Sequence, residues 1–284
     1  MMLAVLGPGA VGGLLAALLH RAGEDVVVVG RPESARRIVT EGLRVRSDKF
    51  GQFTAMVPAT TEVPPGSAVV LAVKSYGLAD VLPGLRAASP TEVLALLNGL
   101  GHAETLREVP NAVCGSVQVE ASREDGTIVH RGQYLIVNVP AGGAGRIAEA
   151  LRRAGADVRV RGSELDVLWR KYSFLAPTAL LTSWTDLPLG EALDQDPTVA
   201  RGVVAEVAAV ATADGWPTTA EDLHALLRRL PATMMSSLQH DLRAGGPTEL
   251  EAIGGHLLAL GERHGVPTPT LARVVGDLRF RVSA

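Results

Sequence analysis

The first dozen residues constrain this chain most. Met2-Leu3-Ala4-Val5-Leu6 reads as a short apolar strand, Gly7-Pro8-Gly9-Ala10-Val11-Gly12 as a glycine turn, and Leu14-Leu15-Ala16-Ala17-Leu18-Leu19 as a helix buried on one face. Strand, glycine turn and helix in this order form the dinucleotide-binding fingerprint, and each glycine has its own task. Gly7 permits the tight turn, Gly9 lets the backbone approach a pyrophosphate, and Gly12 lets the helix pack close to the strand. The N–H groups at the helix start, Ala10 and Val11 among them, then face the phosphate charge. Glycine turns also serve helix packing alone, so the cofactor reading rests on the placement after a strand and before a helix.

At 284 residues the chain exceeds the usual size of a single core, and two domains are expected. A formal net charge of −3 gives no electrostatic case for nucleic acid or an anionic membrane as a partner. The single cysteine, Cys114, leaves no disulfide framework and no thiolate metal site, and it fits a reducing compartment. The apolar start lacks the basic leader of a signal peptide, and its glycines and Pro8 interrupt the run. No stretch reaches the roughly 18 uncharged apolar residues of a membrane span. A soluble, cytoplasmic protein is expected.

Further along, the β-branched run Asp25-Val26-Val27-Val28-Val29 reads as a second buried strand. Residues 43–57 alternate around Gly51 like a peripheral hairpin, and 68–73 and 92–97 read as buried strands ending at Lys74 and Asn98. Alternation of these strands with helical segments argues for a parallel, doubly wound sheet. Residues 113–120 add a strand. Residues 127–130 and 134–138, parted by Arg131-Gly132-Gln133, read as an antiparallel hairpin. A helix near 144–154 and a strand near 157–161 close this part. From Ser163 onward strand-like runs vanish, and helical patterns cover 164–183, 197–214, 219–229, 231–244, 248–264 and 270–281. The expected architecture is a Rossmann-like α/β dinucleotide-binding domain over residues 1–162 and an all-α domain over 163–284.

Arg31 directly follows the second strand. An NAD site usually offers an acidic residue there to the ribose 2′-hydroxyl. A carboxylate repels a 2′-phosphate, whereas arginine binds it bidentately, which favours NADP(H) over a merely solvated arginine. Lys74 and Asn98 each sit just past the carboxyl end of a sheet strand, where open α/β sheets bind ligands. Phosphate or nicotinamide contact is open to the lysine, and ring or substrate contact to the asparagine. Ordinary turn roles remain the alternative.

Lys171 lies on the helix face of Leu168, Leu175, Thr178 and Thr182. A lysine in an apolar stripe either snorkels to water or meets a partner. In a reductase, such an ammonium donates a proton to a carbonyl oxygen as hydride arrives. Thr248 and Glu251 have capping-box spacing, which makes Glu251 structural. Glu249 either favours the helix dipole or meets a substrate hydroxyl or the lysine, and Ser237 either pairs with backbone or binds a carboxylate. The seven histidines show no metal-ligand spacing, and no hydrolytic nucleophile motif occurs.

Together, the glycine turn, Arg31, Val73-Lys74-Ser75, Leu97-Asn98-Gly99, Trp169-Arg170-Lys171 and the Ser236-Ser237…Asp241…Thr248-Glu249 block resemble the ketopantoate reductase (2-dehydropantoate 2-reductase) family over essentially the whole chain. The resemblance implies a ligand cleft between a Rossmann-like and a helical domain, and NADPH-dependent reduction of ketopantoate to pantoate in pantothenate biosynthesis. It makes Lys171 the general acid, with Glu249 engaging the product hydroxyl or the lysine. Ser237 would bind the substrate carboxylate and Asn98 would position nicotinamide and substrate, while Arg31 and Lys74 would contact NADPH phosphates. A homodimer through the helical domain is a further expectation.

The chain departs from the family pattern WxKLxxNxxxNPLTA. Leu175 and Ala179 stand at its two asparagines, and Met234 stands at another substrate-side asparagine. Buried amides that bind a substrate discriminate by orders of magnitude. The alternatives to ketopantoate are therefore a more apolar oxo acid as substrate, or a non-catalytic NADP(H) sensor.

Overall fold

A computed structural model describes residues 2–283. The chain forms two compact units. One runs through Leu97 and resumes from His102 to Val167; the other joins Asn98–Gly101 to the chain from Leu168 onward.

The first unit opens with β1 (Leu3–Leu6), α1 (Ala10–Arg21), β2 (Val26–Val29), α2 (Pro32–Glu41), β3 (Leu43–Ser47), β4 (Gly51–Ala55), β5 (Ala59–Thr60) and β6 (Ala68–Leu71). It continues with α3 (Leu78–Ala87), β7 (Glu92–Ala95), α4 (His102–Leu106), β8 (Ala112–Cys114), β9 (Ser116–Glu124), β10 (Thr127–Pro140), α5 (Gly145–Arg153) and β11 (Asp157–Arg161). Six strands form a parallel sheet in the order β5-β2-β1-β6-β7-β8. Its central strands β1, β2 and β6 are buried at every residue, as strands covered on both faces must be. From β1 the chain moves out to β2 on one side and later returns to β6 on the other. The order reverses at β1, and the carboxyl ends of β1 and β6 flank the crevice where open α/β sheets take ligands.

A second sheet, β11-β10-β3-β4 with β9 paired to β10, lies on the far side of α1. This explains why α1 has no polar face: β1 and β2 meet one side, and β3, β4, β9 and β10 meet the other. Gly12 through Leu19 are all buried. Each fully buried leucine there stabilises the fold by about 1.5–3 kcal/mol.

Residues 127–138 do not form a hairpin. They belong to one strand, β10, whose antiparallel partner is β9. The reversal comes earlier, at Asp125 (φ 47°) and Gly126 (φ 78°), two left-handed residues that suit a tight hairpin turn. Gly132 (φ 76°) lies where the β9–β10 register shifts, between Arg131 and Ile136. The expected strand at 113–120 is likewise divided. β8 closes the parallel sheet and β9 opens the other, with Gly115 between them. A Cβ on Gly115 would stand 2.7 Å from Asn138 O and 2.8 Å from Leu94 Cδ1.

The second unit is helical. It contains most of α6 (Glu164–Thr185), then α7 (Leu189–Gln195), α8 (Pro197–Ala213), α9 (Ala220–Arg229) and α10 (Ser237–Arg243). A single π-helical turn (Glu251–Gly255), α11 (His256–His264) and α12 (Pro269–Ser283) follow. Asp196 caps α8 by accepting from the Thr198 and Val199 N–H groups, both at 3.1 Å, and Thr219 caps α9 through Asp222 N–H. Helix does not extend over 231–236. Met234 O and Ala232 O accept from the Leu189 and Gly190 N–H groups, both at 2.9 Å, which pins this segment to the start of α7. Among the described residues no helix is long and apolar enough to cross a membrane.

Candidate functional site

In the first unit the glycine turn follows β1. Gly7 has φ +99°, and a Cβ there would stand 2.8 Å from Val73 N, so only glycine lets the turn lie against the end of β6. A Cβ on Gly12 would stand 2.1 Å from Gly7 O, whereas one on Gly9 would meet nothing within 4 Å. The turn is closed towards the sheet and open at Gly9. The first intrahelical bond of α1 runs from Gly13 N–H to Gly9 O at 2.9 Å. No side chain caps the N–H groups that precede it, and no acidic residue occupies the first turn. Such donors, with space at Gly9 and positive helix-dipole potential, suit the diphosphate of a dinucleotide.

Lys74 follows β6 and precedes the short 3₁₀ turn Ser75–Gly77, whose last N–H donates to Lys74 O at 2.9 Å. Its backbone adjoins Val73, which touches Gly7. Arg31 is exposed at the N-cap of α2. The preceding Gly30 packs so closely on Pro8 that a Cβ would stand 2.9 Å from the proline Cγ. Arg123 on β9 donates from Nη2 to Pro8 O at 2.7 Å. Sequence reading passes over this arginine, because the contact joins residues 115 positions apart and no local pattern encodes it.

In the second unit three separated residues meet. Asn98 Oδ1 accepts from Lys171 Nζ at 2.7 Å, and Asn98 Nδ2 donates to Glu249 Oε2 at 3.0 Å. The amide has its oxygen towards the cation and its nitrogen towards the anion. Glu249 is 3% exposed, and burial of a carboxylate is tolerable only with such partners. Gly99 (φ +88°) brings Asn98 into place, since a Cβ there would stand 2.6 Å from Ala252 O.

Lys171 is held by its helix neighbours. Trp169 is fully buried, donates from Nε1 to Asp214 Oδ2 at 2.7 Å, and stacks on Trp216. Tyr172 donates to Ile253 O at 2.5 Å, and burial pushes its phenol above the ordinary range. Ile253 sits in the π-helical turn just after Glu249, so one hydrogen bond links the lysine helix to the glutamate segment. On the Lys171 face of α6, Leu175 is half-buried and Thr178 and Thr182 are buried. Thr178 Oγ1 has no hydrogen-bond partner among the described residues.

The two adjacent serines have different surroundings. Ser236 caps α10 through Gln239 N–H at 3.1 Å and accepts from Thr182 Oγ1 at 2.8 Å, while Ser237 is exposed at the first position of α10. Glu251 is structural, but not through a capping box. Its carboxylate takes a bidentate pair from Arg279 at 2.6 and 2.8 Å, which holds its pKa below the ordinary carboxylate value. Cys114 is buried, and burial and the neighbouring Glu164 carboxylate push its thiol far up, which makes it a poor nucleophile.

The profile of ketopantoate reductase PanE/ApbA matches residues 3–143, and that of its C-terminal domain matches residues 165–281. A 2-dehydropantoate 2-reductase of Pyrobaculum aerophilum is 30% identical over 287 residues, spanning 99% of this chain and 98% of that protein. The chain belongs to the ketopantoate reductase family. The Shigella flexneri 2-dehydropantoate 2-reductase is 27% identical over 96% of this chain and 93% of its own length. The crystal structure of a PanE/ApbA family ketopantoate reductase from Ralstonia eutropha JMP134 superposes with a TM-score of 0.88 at 27% identity, covering 100% of this chain and 99% of that one. As a member of the ketopantoate reductase family the chain is an oxidoreductase, and its cofactor is a nicotinamide dinucleotide. Its α/β and helical parts are those of the family fold.

Proposed function

We propose that this protein is a cytoplasmic NADPH-dependent reductase of 2-dehydropantoate, with residues 1–162 binding the cofactor and 163–284 the oxo acid. The Lys171–Asn98–Glu249 cluster carries this reading, because cofactor binding alone requires no buried carboxylate bridged to an ammonium. The reduced nicotinamide supplies hydride to the carbonyl carbon. Lys171 donates a proton to the carbonyl oxygen, and the new C–H and O–H bonds complete the hydroxy acid. Asn98 holds Nζ in one place and bridges it to the Glu249 carboxylate. Glu249 also offers an acceptor to the product hydroxyl, and Ser237 a donor to the substrate carboxylate. Gly7, Gly9, Ala10, Val11 and Gly12 take the pyrophosphate on backbone N–H groups, with Lys74 and Arg31 supplying cations to the phosphates.

A second reading concerns the substrate. Leu175, Ala179 and Met234 present no amide, and the Thr178 hydroxyl is the polar group left unpaired on the Lys171 face of α6. This favours an oxo acid with a more apolar side chain. Consumption of NADPH, followed by absorbance against a panel of oxo acids, separates the readings. Turnover of ketopantoate supports the first, turnover confined to other acids supports the second, and binding of NADPH without any turnover removes both.

The cofactor assignment has its own test. Arg31→Glu is expected to weaken NADPH about tenfold or more while leaving NADH nearly unchanged, since only NADPH brings a 2′-phosphate to the new carboxylate. Fluorescence titration of both nucleotides measures this, and equal losses for the two would remove Arg31 from the phosphate site.

A further inference from the structure

Arginines of two separate elements lie in the neighbourhood of the glycine turn of the first unit. Arg31 stands at the N-cap position of α2, Arg37 lies within α2, and Arg123 reaches over from β9 in the second sheet. Arg123 donates from Nη2 to Pro8 O at 2.7 Å and from Nη1 to Gly126 O at 3.5 Å. Its Nη2 also lies over α1, 3.4 Å from where a Cβ on Gly13 would stand. On the other side of Pro8, Gly30 is in contact with the proline ring and with Ser34 Cβ, at 2.9 and 3.5 Å from an added Cβ. Ser34 and Arg37 are three residues apart on α2 and share a face, so Arg37 lies on the side of α2 that neighbours Gly30.

The electrostatics of this cluster are unfavourable by themselves. Burial, and then the positive charge of Arg37, lower the pKa of the Arg123 guanidinium. Among the described residues, no carboxylate pairs with Arg123. Two like charges, one of them partly desolvated, are left for an anion to relieve. Arg123 also keeps N–H groups beyond the two that bond the backbone, because a guanidinium carries five. In the NADPH reading Arg31 brings the cofactor's 2′-phosphate to this place, beside the diphosphate on the glycine turn.

We propose that Arg123, with Arg37, completes the Arg31 pocket for the adenosine 2′-phosphate of NADP(H), so that preference over NAD(H) is set partly from β9. The inference rests on the NADPH reading above. It assigns specificity to a residue outside the β2–α2 segment, where such selectivity is ordinarily sought.

Calorimetric titration of the full-length protein with NADP⁺ and NAD⁺ tests it without turnover. Arg123→Gln is expected to weaken NADP⁺ about tenfold or more and NAD⁺ less than about threefold, the signature of a lost charge-assisted contact to phosphate. Arg123→Lys, which keeps the charge, should lose less than Arg123→Gln. Equal weakening of both nucleotides would reduce Arg123 to a prop for Pro8, and no weakening would remove it altogether; either result overturns the proposal. Arg37→Gln changes an exposed residue and decides the matter if Arg123→Gln does not fold. A selective loss of NADP⁺ affinity supports the pocket, and an unchanged NADP⁺/NAD⁺ ratio refutes it. Native protein that binds the two nucleotides equally defeats the NADPH reading itself. A native preference that survives every one of these variants defeats only the role of Arg123 and Arg37.

Discussion

Lys171→Ala is expected to lower kcat/KM for the oxo acid by about 10³-fold, equivalent to about 4 kcal/mol of transition-state stabilisation. Two losses combine. The carbonyl oxygen has no positioned donor for the proton that must follow hydride, a contribution of about 10²–10⁴-fold for a well-placed acid. The Glu249 carboxylate, 3% exposed, also loses the charge it faces through Asn98. To separate them, steady-state rates are compared with NADPH affinity and with rescue by added primary amines. The expected result is NADPH affinity within about twofold of native and partial recovery of rate with a small amine that fits the vacated volume. A variant that keeps a tenth of native kcat/KM would remove Lys171 from proton transfer, whatever its effect on stability.

Glycine positions 9 and 12 should respond in opposite ways to the same added methyl. Gly12→Ala sets a Cβ 2.1 Å from Gly7 O, backbone that cannot turn aside, so α1 must lift away from the turn. Overpacking of this kind costs about 1–3 kcal/mol or more, and thermal unfolding of the free protein should fall by several degrees. Gly9→Ala meets nothing within 4 Å, so the free protein should unfold at its native temperature. Its methyl instead occupies the open side of the turn, and NADPH affinity should fall at least about tenfold. Calorimetry on the free protein and nucleotide titration measure the two quantities. Native cofactor affinity in Gly9→Ala would mean that the diphosphate lies elsewhere; native stability in Gly12→Ala would contradict the close packing of α1 on the turn.

What the sequence discloses and what it hides divide along a physical line. The parallel strands are legible because burial on both faces demands continuous apolar runs, such as Val26–Val29 and Ala68–Leu71. Most of the helical half is legible from long helical patterns such as 197–214, but the short α7 (Leu189–Gln195) is not. The hairpin is easily misplaced because two glycines compete in that region. Gly126 makes the reversal, whereas Gly132 accompanies a register shift within one strand, and both look like turns in one dimension. The helical pattern over 231–236 is overridden by hydrogen bonds to Leu189 and Gly190, more than 40 residues away.

The candidate site shows the same division. Lys171 is conspicuous because a charge interrupts an apolar stripe. Nothing local says that Asn98 lies between it and Glu249, since the two hydrogen bonds join residues 73 and 151 positions apart. Ser236 and Ser237 are neighbours of identical chemistry, and only the fold decides which one Thr182 meets. Arg123 carries no mark at all, being one charged residue near the end of β9.

The enclosure of α1 by strands of both sheets has a consequence for how the nucleotide is received. A helix with a free face can tilt when an anion arrives, and part of the binding energy is then spent on settling it. Here Gly12 through Leu19 are locked from both sides, so the donors at the amino end of α1 already stand where folding put them. On the proposed reading, the receptor for the diphosphate is therefore preorganised. Its affinity is drawn from contacts rather than diminished by rearrangement, and its geometry is inherited from the core.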